Sequence, residues 1–338
     1  MPEVGIKPSL VHTGRAPWHG RGTKITQSMK WEEACELPLL KWDVSLRPSG
    51  YVNSAGQFIT ATVDIGEEKV VDKYHVVRSD NGEIIGTVGK GFVPVQNMNL
   101  FAQVNAAVEG NLMTFEVVGT LKHGQIIWAL AKLPGCITVK GEDVVNKYIL
   151  LANAHDGSMR MMVMITPIRL GCINTLPIAI READSMFAAR HTKSIASRML
   201  NMKDVLGLAD KWYRDFEDLT QKLVNKRVTS RVLDTYLDNL GYAQREVRDP
   251  VTELISKQDT EAREDIKYLF EYGVGNVAPG IKGTAWALLN GVTEYVDHHR
   301  ATRVQGGSED SEEARLMSAW FQHGRDLKVK ALELVTAL

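Results

Sequence analysis

The feature that most restricts the fold of this chain is a change of hydrophobic period partway along it. From Lys41 the sequence reads as short β-prone runs, among them KWDVSL, QFITATVDI, KVVDKYHVV and EIIGTVG. Beyond Asn174 the apolar residues instead recur at helical spacing: in DVLGLADKWYRDFEDLTQKLV, Val205, Leu208, Ala209, Trp212, Phe216, Leu219 and Leu223 form one stripe opposite Lys211, Arg214, Glu217, Asp218 and Lys222. One helix interrupts the strand region. In NMNLFAQVNAAVEGN, Leu100, Phe101, Val104, Ala107 and Val108 share a face, with Asn97 or Asn99 as cap and Gly110 as stop. Strands then resume through TFEVVGTLK, QIIWALAKL, ITVKG, VVNKYILLANA and MRMMVMITPI. Strands, one helix and more strands predict an α+β fold, an antiparallel sheet packed with a helix and followed by a mostly helical C-terminal region.

Local signals place the boundaries. Residues 1–40 read as an N-terminal arm with one short helix in SMKWEEACEL, where Ser28 is placed to cap. Residues 41–180 form the sheet domain and 181–338 the helical region, with VQGGSEDSEE (304–313) as a flexible exposed loop before the last helix. Asn81-Gly82 between two β-branched runs predicts a type I′ hairpin, because both central residues of that turn need positive φ. His155-Asp156-Gly157-Ser158 predicts a second turn, Asp for the side-chain bond and Gly for positive φ. Gly241 is expected to end the helix SRVLDTYLDNL. At 338 residues the chain suits one large core with a helical appendage, or two domains.

A net charge of −1 gives no overall attraction to nucleic acid or to an anionic membrane. The three cysteines, Cys35, Cys136 and Cys172, are widely spaced and suggest neither a zinc site nor a disulfide framework, which fits a reducing cytoplasm. The N-terminus lacks the apolar core of a signal peptide, and no run reaches the ~20 apolar residues of a membrane span, so no membrane association is expected.

Candidate chemistry is sparse. Cys172 with His155 and Asp156 has the residue types of a thiol nucleophile and its relay, but consecutive His and Asp at a turn tip diverge, so no enzyme activity is expected. The histidines of APWHG and VDHHR match no metal-ligand pattern, and the glycines of GTVGKGF and GVGNVAPGIKG match no phosphate loop; neither metal nor cofactor is expected. One bias remains. From Arg160 to Lys203 seven cationic residues (Arg160, Arg169, Arg181, Arg190, Lys193, Arg198 and Lys203) face two acids, Glu182 and Asp184, with His191 among them. A nucleic-acid backbone needs such a stripe, and an ordinary solvated face has the same composition.

APWHGRGTKI, LKWDVSLRP, VVRSDNGEIIGTVGKGFVPVQN, NAHDGSM, PIRLGCINTL, ARHT and GTAWALLNGVTEYVDHHR, in that order, resemble a large family of phage- and plasmid-encoded proteins that carry a domain of unknown function. The resemblance runs from about residue 12 to the C-terminus and implies a mobile-element origin and a bacterial cytoplasmic setting. In architecture alone, sheet, helix, further strands and a basic helical segment are similar to single-strand annealing proteins of the RecT and Red-beta type, which form rings or filaments along single-stranded DNA. The combined expectation is a non-enzymatic, homo-oligomeric single-stranded DNA-binding protein of recombination or replication. Arg160, Arg169, Arg190, His191, Lys193 and Arg198 would then form its nucleic-acid surface. The alternative is an interaction protein that binds a phage or host partner through its C-terminal helices.

Overall fold

The structure, a computed structural model, describes residues 10–12, 23–24, 27–65, 68–107, 113–169, 186–207, 209–242, 250–302 and 311–338. It is α+β, as the period change requires. In chain order come β1 (Leu10–His12), β2 (Thr23–Lys24), helix α1 (Trp31–Cys35), β3 (Val44–Pro48), β4 (Gly50–Val52), β5 (Phe58–Thr60), β6 (Thr62–Ile65), β7 (Glu68–Val71), β8 (Lys73–Arg78) and β9 (Ile84–Gly89). Helix α2 (Asn97–Ala107) follows, then β10 (Thr114–Leu121), β11 (Ile126–Val139), β12 (Asp143–Ala154), β13 (Met161–Arg169) and β14 (Met186–Ala189). One sheet of seven strands has the order β14-β13-β12-β11-β10-β1-β2; a second has the order β3-β8-β9, and β4–β5 and β6–β7 form two-stranded ribbons. The remaining elements are helical from Ile195 to Thr336.

The chain divides into two compact units. The first comprises Met1–Lys132, Ile149–Met164 and Met186–Gly207; the second comprises Leu133–Tyr148, Ile165–Ser185 and Leu208–Leu338. In the first unit the apolar stripe of α2 is buried: Leu100, Phe101 and Val104 are inaccessible, and the Phe101 ring meets that of Phe115 on β10 at 4.9 Å. In the second unit every residue of the helix Ala285–Glu294 is buried. The helices Ala209–Asn225, Pro250–Tyr272 and His323–Thr336 pack against it. Apart from Asn290, AWALLNGV carries no polar side chain, and such a helix must be enclosed by others.

Several local expectations change. Helix α1 is capped by Lys30 and not Ser28, with the Glu33 carboxylate accepting the Lys30 N–H at 2.8 Å. The β8–β9 hairpin exists, but its loop is longer than a type I′ turn. The Arg78 N–H donates to the Glu83 carbonyl at 3.0 Å, only Gly82 has positive φ (73°), and Asn81 Oδ1 instead accepts the Glu83 N–H. QIIWALAKL and ITVKG are one strand, β11, that passes through Gly135 at φ 80°. The expected helix from Asp204 is present as Met202–Gly207 and Ala209–Asn225, on either side of Leu208, which lies outside the described residues. Ser311 to Glu313, expected in a loop, begin the helix Ser311–Phe321, and Glu313 is buried. Gly241 ends its helix in the left-handed conformation, as expected (φ 116°). Gly110, His19, Cys172, Arg181 and residues 303–310 lie outside the described residues.

Candidate nucleic-acid interface

The expected 155–158 turn is present and shapes a site in the first unit. The Asp156 carboxylate accepts both the backbone N–H and the hydroxyl of Ser158, at 3.0 and 2.7 Å, and Gly157 takes φ 75°. Strand β9 lies hard against this turn: a Cβ on Gly86 would come within 2.6 Å of the Asp156 Cα, and one on Gly157 within 3.3 Å of Val88. Glycine at position 86 is what lets the two backbones approach, while Gly157 supplies the positive φ of the turn. The segment after β9 is tied to the end of β14 by a reciprocal pair, in which the Val93 N–H donates to the His191 carbonyl at 3.1 Å and His191 Nδ1 bonds the Val93 carbonyl at 3.2 Å. A carbonyl only accepts, so Nδ1 carries the proton. The Phe92 ring stacks on the His191 imidazole at 4.6 Å with 18° between planes.

Between these pieces is an open cleft of about 480 Å³, within the size range of small-ligand sites. Gly89, Gly91 and Phe92 form one wall, Gly157 to Arg160 a second, and Arg190 to Thr192 a third. Strand register explains why two arginines meet there. β13 and β14 are antiparallel with Met161 opposite Ala189, so Arg160, one residue before, and Arg190, one residue after, flank the same end of the ladder. Both guanidiniums are exposed and, among the described residues, neither has a carboxylate partner.

Of the six residues expected to touch nucleic acid, Arg160, Arg190 and His191 line the cleft. Lys193 is exposed directly after its third wall. Arg198 is exposed on the helix Ile195–Leu200 but donates to the Ala188 carbonyl at 3.0 Å. Arg169 is a correction. It lies in the second unit with no exposed surface, held by the Asp143 carboxylate at 2.6 and 2.7 Å, by the Val274 carbonyl at 2.8 Å and by Asn276. Trp286 Nε1 donates to the same Asp143 carboxylate at 2.8 Å. A guanidinium so enclosed holds the interior of its unit together and cannot reach a phosphate. The sequence reading also missed Phe92 and the glycines of GTVGKGF as part of the cleft, since no motif marks them.

His155 and Asp156 form no relay. The His155 ring is fully buried, and its Nε2 bonds Asn97 Oδ1 at 2.9 Å. Asn97 spends its amide hydrogens on the Leu40 and Trp42 carbonyls, so the proton of that bond belongs to His155. Burial, with lesser contributions from His191 and Arg78, lowers the His155 pKa to about 3. His191 is lowered too, by burial, against the Val93 bond and the Asp156 charge. Burial, aided by Glu36 and Glu32, pushes the Cys35 thiol up to about 12, which makes it inert at neutral pH. Among the described residues no group of His, Cys, Asp or Glu side chains is arranged to hold a metal, and no helix is long and apolar enough to cross a membrane.

One family model matches the chain, over residues 84–320, and its description is a domain of unknown function, DUF932. No curated protein and no solved structure matches.

Proposed function

The chain belongs to the DUF932 family, and because membership brings no activity with it we propose one from the site: a non-enzymatic protein that binds single-stranded DNA and serves annealing or strand protection. The observation that carries this reading is the convergence of Arg160 and Arg190 on one cleft, both exposed and neither paired with a carboxylate among the described residues. Phosphate neutralisation supplies most nucleic-acid affinity, and cations left unpaired are available for it. A cleft with an aromatic wall suits a single strand better than a duplex, because unstacked bases offer π-faces to a ring such as Phe92. Lys193 continues the cationic surface, and Arg198 contributes charge at its margin. Assembly into a ring or filament would align many such clefts along one strand. The setting is recombination or replication of a phage or plasmid inside a bacterial cell.

A mobility-shift titration with single- and double-stranded oligonucleotides at several salt concentrations tests this. The expected result is preference for single strands and weakening with salt; no binding even at low salt would reject it. A second reading has its own observation. Tyr268, Tyr272, Val274 and Val277 are all about half exposed or more on the second unit, and the two tyrosine rings stand 5.2 Å apart. Such a patch suits a protein partner. That reading predicts that Arg160→Gln leaves function intact while Tyr268→Ala abolishes it.

A further inference from the structure

His191 is 7% exposed, yet it lines the cleft. Its Nδ1–H is used by the Val93 carbonyl, and its Nε2 is a buried atom with no hydrogen-bond partner among the described residues. An acceptor left bare inside a protein is unfavourable unless something else supplies the bond. His191 lines the same cleft as Arg160 and Arg190, neither of which has a carboxylate partner among the described residues.

A neutral Nε2 offers a lone pair, and so does every phosphate oxygen; two acceptors do not bond. A phosphate can occupy this position only if the imidazole carries a second proton. Among the described residues the charged and titratable groups around His191 are few. Asp156 is the one acid among them that acts on the ring, its carboxylate already engaged by Ser158; His155 is buried and neutral; Arg160 and Arg190 stand on the cleft walls, and Lys193 is exposed beside them. In the free protein burial therefore prevails and keeps the ring neutral. An arriving phosphate adds the negative charge that favours the imidazolium.

We infer that the cleft takes its ligand's phosphate on three side chains, Arg160, Arg190 and the buried His191, and that His191 does so as the imidazolium, taking one proton from solvent as the phosphate arrives. This deepens the nucleic-acid reading and rests on it for the phosphate's carrier. Nε2–H then donates to a phosphate oxygen while Nδ1–H keeps its bond to Val93, so both ring nitrogens are satisfied.

Titration calorimetry of the full chain with a short oligothymidylate, near neutral pH in two buffers of different ionisation enthalpy, counts the proton. The expected result is uptake approaching one proton per site, with affinity rising as pH falls from about 8 to about 6. His191→Asn, whose amide can still donate to Val93, should take up no proton, lose that pH dependence and bind roughly tenfold more weakly or worse. Uptake unchanged in His191→Asn overturns the inference. So does wild-type affinity that falls on acidification, because Nε2 would then be accepting a bond from a base. Should the variant fail to fold, the His191 imidazole resonances of the wild type replace it: a pKa raised by ligand supports the inference and an unmoved one overturns it. Inorganic phosphate as a second probe separates the two levels. Phosphate binding with proton uptake but no oligonucleotide binding keeps the His191 site and removes the nucleic-acid reading. Oligonucleotide binding without uptake does the reverse, and binding of neither probe removes both.

Discussion

Arg169 and His155 show how strongly single buried polar residues bind this protein to one conformation. Removing one partner of a buried ion pair strands the other, so Asp143→Asn should lower stability by about 3–5 kcal/mol, read from chemical denaturation. An effect below about 1 kcal/mol would mean that the guanidinium finds water instead. His155 couples stability to acid. Its folded pKa lies below the unfolded value of 6.5, so the unfolded chain binds the extra proton and stability is lost as pH falls beneath about 6.5. By pH 5 this residue alone should cost about 2 kcal/mol, with His191 acting in the same sense. His155→Gln, which can still donate to Asn97, should flatten the dependence of melting temperature on pH in this range; an unchanged slope would assign the acid sensitivity elsewhere. The sequence marks neither role. Arg169 reads as one more cation in a basic run, and only the approach of Asp143, Trp286 and the 273–283 loop turns it into a core residue.

Elements were more legible than residues, because periodicity reports which face is buried. The stripe of α2, the β-prone runs and the Gly241 helix end each follow from local chemistry. Turns were half legible. Gly82 has the positive φ that the sequence demands, but loop length depends on how β8 and β9 register, and here the register shifts between Val76 and Val77. Nothing lies within 4 Å of a Cβ built on Gly82, so Gly82→Ala should lose only the left-handed strain, about 1–2 kcal/mol, visible as a lower melting temperature. A neutral outcome would mean that the loop relaxes to another turn. Helix ends behave alike: Thr284 caps the central helix of the second unit by accepting the Ala287 N–H and donating to the Ile281 carbonyl. Thr284→Ala should destabilise by about 1–2 kcal/mol, while Thr284→Ser should restore most of it.

At the scale of the whole molecule, the segment 160–203 reads in sequence as one basic stripe, and the fold divides it. Arg160 and Arg190 meet because an antiparallel register sets the residue before β13 beside the residue after β14, a relation no linear spacing displays. Arg169, nine residues further along β13, belongs to the second unit's interior instead. What the sequence held was the charge bias; what it lacked was the pairing that concentrates part of that bias on one cleft. The central claim is that this cleft binds phosphates, and the salt dependence of binding tests it most directly. Replacing Arg160, Arg190 and Lys193 together with Gln removes three potential phosphate contacts at exposed positions, where packing is little disturbed. For single strands each lost contact flattens the plot of log K against log salt by about 0.7, so the account predicts a slope reduced by about two units together with weaker binding. A variant that keeps the wild-type melting temperature, affinity and slope would contradict it.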